Sequence, residues 1–178
     1  MKIKAISLLL ATAALFASCG KKESTTAALA ASAPSSALAA VLAATPAGEP
    51  QSIHLIRATA KPGDTITISG KIMGNKKPFV AGRSAFILGD PEVLTACDED
   101  PADKCTTPWD NCCDSPEDKK RGIATIQMLG PDGRVLKEPV EGVGGLANLA
   151  QVTVSGKVAE GSSADLLIIN AQAIRAGK

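Results

Sequence analysis

Asp64-Thr-Ile-Thr-Ile-Ser-Gly-Lys-Ile-Met73 alternates with a period of two. Ile66, Ile68 and Ile72 fall on one face, and Thr65, Thr67, Ser69 and Lys71 on the other. A half-buried strand has this pattern, because successive side chains point to opposite faces of a sheet. Pro62-Gly63-Asp64 is a turn leading into it. The pattern returns in Gln151-Val-Thr-Val-Ser-Gly-Lys-Val158, with Val152, Val154 and Val158 on one face. Both segments carry Ser-Gly-Lys, which puts Gly70 and Gly156 inside strands, where a bend, a bulge or a close backbone approach is expected.

Between these strands lie Ser84-Ala-Phe-Ile-Leu88 and Ile123-Ala-Thr-Ile-Gln-Met-Leu129. The second ends at Gly130-Pro-Asp-Gly133, a turn that sends the chain back through Val135 and Leu136. Leu146-Ala-Asn-Leu-Ala150 is read as a helical turn, and Leu166–Ile174 as a closing strand. Ser52-Ile-His-Leu-Ile-Arg57 is read as an additional edge strand. The order strand, strand, strand, short helix, strand, strand resembles the OB-fold, a small five-stranded Greek-key barrel. The predicted class is therefore all-β with little helix, with a Cys-rich insertion between strands 2 and 3. An immunoglobulin-like sandwich fits less well, because the strands are few and a helical piece interrupts them.

That insertion is Cys97-Asp-Glu-Asp-Pro-Ala-Asp-Lys-Cys105-Thr-Thr-Pro-Trp-Asp-Asn-Cys112-Cys113-Asp114, continuing to Arg121. It holds four of the five cysteines and the only tryptophan, Trp109. Thr107-Pro108-Trp109-Asp110 reads as a capped helix start carrying Cys112 and Cys113. Ser115-Pro116-Glu117-Asp118 repeats the signal and runs to Gly122. In an oxidising compartment, four cysteines most simply form two disulfides. A Cys112–Cys113 bond is disfavoured, since adjacent Cα atoms are about 3.8 Å apart and disulfides prefer roughly 4.4–6.8 Å. Two pairings remain open: Cys97 with Cys113 plus Cys105 with Cys112, or Cys97 with Cys112 plus Cys105 with Cys113. Trp109 is then expected to form the small core of a stapled loop, packed on sulfur, with Trp109, Asp110 and Asp114 as its interaction residues.

The alternative use of Cys97, Cys105, Cys112 and Cys113 is a metal ion held by thiolates. Asp98, Asp100, Asp103, Asp110 and Asp114 offer oxygen for a harder ion. The spacing lacks paired Cys-x-x-Cys knuckles, and the acids do not follow the EF-hand alternation. Thiol redox catalysis is disfavoured by the missing Cys-x-x-Cys and the flanking acids. His54 is read as a surface or packing residue without catalytic company, and no phosphate-binding loop is present, so the expectation is a non-enzyme without a required cofactor.

The N-terminus reads as an export signal: Met1-Lys-Ile-Lys4, then an apolar run to Phe16 too short to span a bilayer comfortably. Phe16-Ala17-Ser18-Cys19-Gly20 resembles the lipobox of bacterial lipoproteins, in which the Cys is lipidated and becomes the mature N-terminus. Residues 1–18 are thus expected to be a lipoprotein signal peptide. Cys19 would carry the lipid, and residues 19–50, rich in Ala, Ser and Pro, would form a disordered tether. The domain proper, residues 51–178, carries 15 Lys and Arg against 16 Asp and Glu. That near-neutral balance, with few aromatic rings, disfavours nucleic-acid binding, which draws on basic charge and stacking.

Pro78-Phe-Val-Ala-Gly-Arg-Ser-Ala-Phe-Ile-Leu-Gly-Asp90, the Cys-Thr-Thr-Pro-Trp-Asp-Asn-Cys-Cys segment and Gly144-Gly-Leu before the Val-rich strand resemble an uncharacterised family of bacterial exported lipoproteins with an OB-like domain. The resemblance covers roughly residues 62–175. It implies a fold and an envelope location and carries no activity. The expected protein is lipid-anchored in a bacterial envelope, with its domain facing the periplasm or the exterior. Gly20-Lys21, lacking an Asp after the lipidated Cys, favours the outer membrane. The expected partners are the membrane through the lipid and an envelope protein or small ligand.

Overall fold

The computed structural model describes residues 33–99, 102 and 104–177. The signal segment 1–18, the lipidation residue Cys19 and residues 20–32 lie outside the described residues, as do Asp100 and Asp103.

Six strands form the sheet: β1 (Gln51–Ser52), β2 (Thr65–Lys71), β3 (Ala85–Gly89), β4 (Ile123–Gln127), β5 (Gln151–Val158) and β6 (Leu167–Ala176). The order β2-β3-β4-β6-β5 closes on itself because β5 pairs back onto β2, from Thr65↔Lys157 to Lys71↔Gln151. The β4–β6 pairing is parallel, whereas β2–β3, β3–β4, β5–β6 and β2–β5 are antiparallel. This is the OB-like five-stranded barrel that the strand order predicts, and closure leaves few exposed edges. β1 lies parallel to β2 at Ile68 and Ser69.

The alternating apolar faces fill the barrel. Ile66, Ile68 and Ile72 meet Phe86, Leu88, Ile126, Val152, Val154, Ile169 and Ile174 in one buried cluster. Both strand glycines have steric reasons. A Cβ on Gly70 would lie 2.6 Å from the carbonyl oxygen of Gly89, and one on Gly156 would lie 2.3 Å from that of Asn170. The β5–β6 register shifts between Ser155 and Gly156, so the second glycine marks the predicted irregularity. The 130–133 turn also forms, with Leu129 bridging Val135.

Three expectations are corrected. The tether does not extend to residue 50: the compact unit begins at Ala33, and helix α1 (Ser36–Ala43) packs against β6. Its Leu38 is fully buried in the barrel core, with Val41 and Leu42 packed beside it. Spacing of i, i+3 and i+4 gives this Ala-rich helix one apolar stripe, and Ser35 caps it by accepting from Leu38 N–H at 3.2 Å. The Thr67 hydroxyl then donates to the Ala47 carbonyl, laying the following segment over β2.

The edge strand at Ser52–Arg57 survives only as β1 and gives way to helix α2 (Ile53–Arg57). Ile53 is buried and Ile56 packs on the core, a spacing of three that a helix satisfies, while Leu55 is exposed. The turn expected at Leu146–Ala150 is helical three residues earlier, as a 3-10 turn at Val143–Gly145, and Leu146 is the residue it delivers to the core.

Candidate functional site

The insertion leaves and re-enters the barrel at one point. Gly89 ends β3 opposite Ile123 of β4, and the Asp90 amide donates to the Gly122 carbonyl at 2.8 Å. Before the return, helix α3 (Pro116–Gly122) forms as its sequence predicts: the Ser115 side chain accepts from Asp118 N–H, and Pro116 occupies the first turn. Acids stand in that first turn and Lys119, Lys120 and Arg121 in the last, complementing the helix dipole.

The helical start expected at Thr107–Cys113 is instead a succession of turns, with Asp110 N–H donating to the Thr107 carbonyl. Cross-loop bonds drain the backbone groups that a helix would use. Cys97 N–H donates to the Asp110 carbonyl at 2.8 Å, and Asp98 N–H to that of Pro108 at 2.9 Å. These bonds draw the 97–99 turn against the 108–112 limb, and the Gly74 amide ties that limb to the barrel through the Trp109 carbonyl.

Trp109 packs in a second cluster with Met73, Leu94 and Ala96, not as an isolated core of the cysteine loop, and its indole N–H donates to the Lys76 carbonyl at 3.1 Å. Asp110 is buried, its carboxylate accepting from Asn111 N–H, so it is not part of an exposed acidic surface. Asp114 accepts from Thr95 N–H at 3.0 Å and serves the loop's own backbone. Beside Trp109 a cleft of about 330 Å³ is lined by Pro78, Phe79, Val140 and Asn148, and Asn148 Oδ1 is buried with no hydrogen-bond partner among the described residues.

The cysteines converge. The sulfurs of Cys97, Cys105 and Cys112 all lie within 4.8 Å of one another. Cys97 Sγ stands 3.7 Å from Cys112 Sγ, and Cys112 Sγ stands 3.8 Å from Cys113 Sγ. A disulfide is about 2.05 Å long, and no sulfur pair among the described residues stands at that distance. Burial runs from Cys97, which is buried, through Cys105 to the exposed Cys112 and Cys113. Cys105 Sγ also lies 3.3 Å from Thr107 Oγ1, and Lys119 Nζ donates to the Cys112 carbonyl at 3.2 Å. Three thiols in this arrangement can hold a metal ion. None of Asp98, Asp110 and Asp114 belongs to a group of three ligating side chains among the described residues.

His54, expected to stand without catalytic company, has a partner: Nδ1 lies 2.8 Å from Oδ2 of the buried Asp90. The partners are 36 positions apart, and no local pattern announces such a pair. No family model, curated protein or solved structure matches the chain.

Proposed function

We propose that this chain is a membrane-anchored envelope lipoprotein, lipidated at Cys19, whose barrel is a non-catalytic scaffold for a thiolate metal site at Cys97, Cys105 and Cys112, with Cys113 beside it. The observation that carries the metal reading is the sulfur spacing. Sulfurs about 2.3 Å from a zinc ion stand about 3.8 Å apart along the edge of a tetrahedron. The Cys97–Cys112 separation of 3.7 Å matches that edge and lies far from a disulfide bond, and the Cys105 sulfur stands within 4.8 Å of both. A d¹⁰ ion such as Zn²⁺ or Cu⁺ suits an all-sulfur donor set; loading it would release the thiol protons and close the 97–112 loop. The export signal and lipobox-like segment support the envelope location.

Metal analysis of the full chain, purified without chelator and under reducing conditions, tests this reading. About one equivalent of zinc or copper, lost in Cys97→Ser, is the expected result. Metal-free protein that also fails to develop thiolate charge-transfer absorption with Co²⁺ would refute it.

A second reading keeps the loop as a disulfide-stapled binding surface. It is favoured by the nearness of Cys97 to Cys112, which begins one of the two open pairings, and by the cleft beside Trp109. Intact mass after alkylation without reductant separates the two: a mass four protons low with no alkyl groups indicates the staple, whereas four alkyl groups remove it.

A further inference from the structure

A second cluster of ligating side chains stands at the neck of the insertion, where α2 meets the end of β3. We propose that His54 Nδ1, Asp90 Oδ2 and Glu92 Oε2 form a site for a divalent cation of octahedral preference, such as Mn²⁺, separate from the thiolates. His54 Nδ1 is 2.8 Å from Asp90 Oδ2 and 4.0 Å from Glu92 Oε2, and the three ligating atoms lie within 4.8 Å of one another.

Two carboxylates face one imidazole nitrogen, and neither forms an ion pair with Lys or Arg among the described residues. Asp90 is 1% exposed. A buried carboxylate needs a counter-charge or several donors. Backbone N–H groups supply part of this: His54 N–H donates to Oδ2 at 2.9 Å and Glu92 N–H to Oδ1 at 2.9 Å. These bonds aim the carboxylate at the imidazole, as partner bonds orient metal ligands elsewhere. Glu92, by contrast, is exposed and free to turn inward.

A nitrogen and an oxygen 2.8 Å apart must share a proton or a cation. For bonds of about 2.1 Å, two ligands at 90° stand about 3.0 Å apart and two at the tetrahedral angle about 3.4 Å. The observed edge fits octahedral coordination, with water completing the sphere, and only Glu92 must move inward. On loading, the proton shared by Nδ1 and Oδ2 leaves to solvent and the cation takes its place. One nitrogen and two carboxylate oxygens form a harder donor set than the cysteines, so the two sites select different ions.

The test titrates Mn²⁺ into the full chain and follows the loss of the free-ion EPR signal, together with paramagnetic broadening of backbone amides. We expect one bound Mn²⁺, with broadening centred on residues 53–55, 90–93 and 122–123. Glu92→Ala, a change at an exposed side chain, and His54→Ala should each weaken binding by more than about tenfold, while Cys97→Ser leaves it unchanged. No Mn²⁺ uptake by the parent chain, uptake that survives both Glu92→Ala and His54→Ala, or uptake abolished by Cys97→Ser would overturn the proposal.

Discussion

The Asp90 amide and the Gly122 carbonyl meet at 2.8 Å, so the Cys-rich insertion leaves and rejoins the barrel through one closed neck, and Trp109 ties it again at Gly74 and Lys76. The register continues across it, with Gly89 facing Ile123. The loop's apolar residues, Leu94 and Ala96, belong to the Met73 cluster and not to the barrel core. Replacing residues 91–121 with a short Gly-containing turn should therefore leave a folded barrel with the same β-rich circular dichroism and a cooperative, somewhat earlier melt, because Met73 becomes exposed. A molten product without a cooperative transition would show that the insertion is required for the fold.

The strand glycines make a sharper test. Gly156→Ala drives a methyl into the Asn170 backbone, which cannot retreat without parting β5 from β6. It should cost about 1–3 kcal/mol or more. Gly161→Ala, whose Cβ would meet only Ile168 at 3.7 Å, should stay within about 0.5 kcal/mol. Urea titration of the two variants measures the contrast.

Leu38 gives α1 its stability on the barrel. Leu38→Ala should destabilise the domain by about 2–5 kcal/mol, the range for a fully buried leucine. Deleting residues 1–50 should lower the melting temperature as well, whereas a true tether would be lost without effect.

Two carboxyls around α3 set a modest acid dependence. The Ser115 hydroxyl, and then Arg121, hold the Asp118 carboxyl below its ordinary range, and Lys120 does the same for Asp165. A depressed carboxyl binds its proton less readily in the folded state than in the unfolded one. Its contribution is therefore full above the ordinary carboxylate range near pH 4 and fades as pH falls through the lowered folded value. Asp118→Asn with Asp165→Asn should flatten the decline in stability below about pH 4. Both sites are exposed, so the effect should also shrink in high salt. Parallel melts of parent and double variant from pH 6 to acid would read it.

Within the thiolate site, position predicts rank. Cys97 is the buried member, and its sulfur contacts that of Cys112. Cys97→Ser and Cys112→Ser should each abolish stoichiometric soft-metal binding, whereas Cys113→Ser should retain it. Co²⁺ charge-transfer intensity across the three variants checks the order; equal losses in all three would make Cys113 a full ligand.

The five barrel strands, the close-packed glycines, the 130–133 turn and the capped α3 are legible in the residues. Each is set by period-two alternation, by steric need or by capping chemistry within a few positions, and the order of strands was enough to anticipate barrel closure. The segments that went astray are those whose partners lie far along the chain. Residues 36–50 read as a tether because Ala and Ser promise no core, yet one leucine stripe found β6. Ile53 and Ile56 admitted a strand until the core rewarded their spacing of three. Cys97 and Cys112, or His54 and Asp90, carry no local signal of meeting, because only the closed neck and the cross-loop hydrogen bonds bring them together. Local chemistry by itself determined the barrel; tertiary packing decided which reactive side chains share a site.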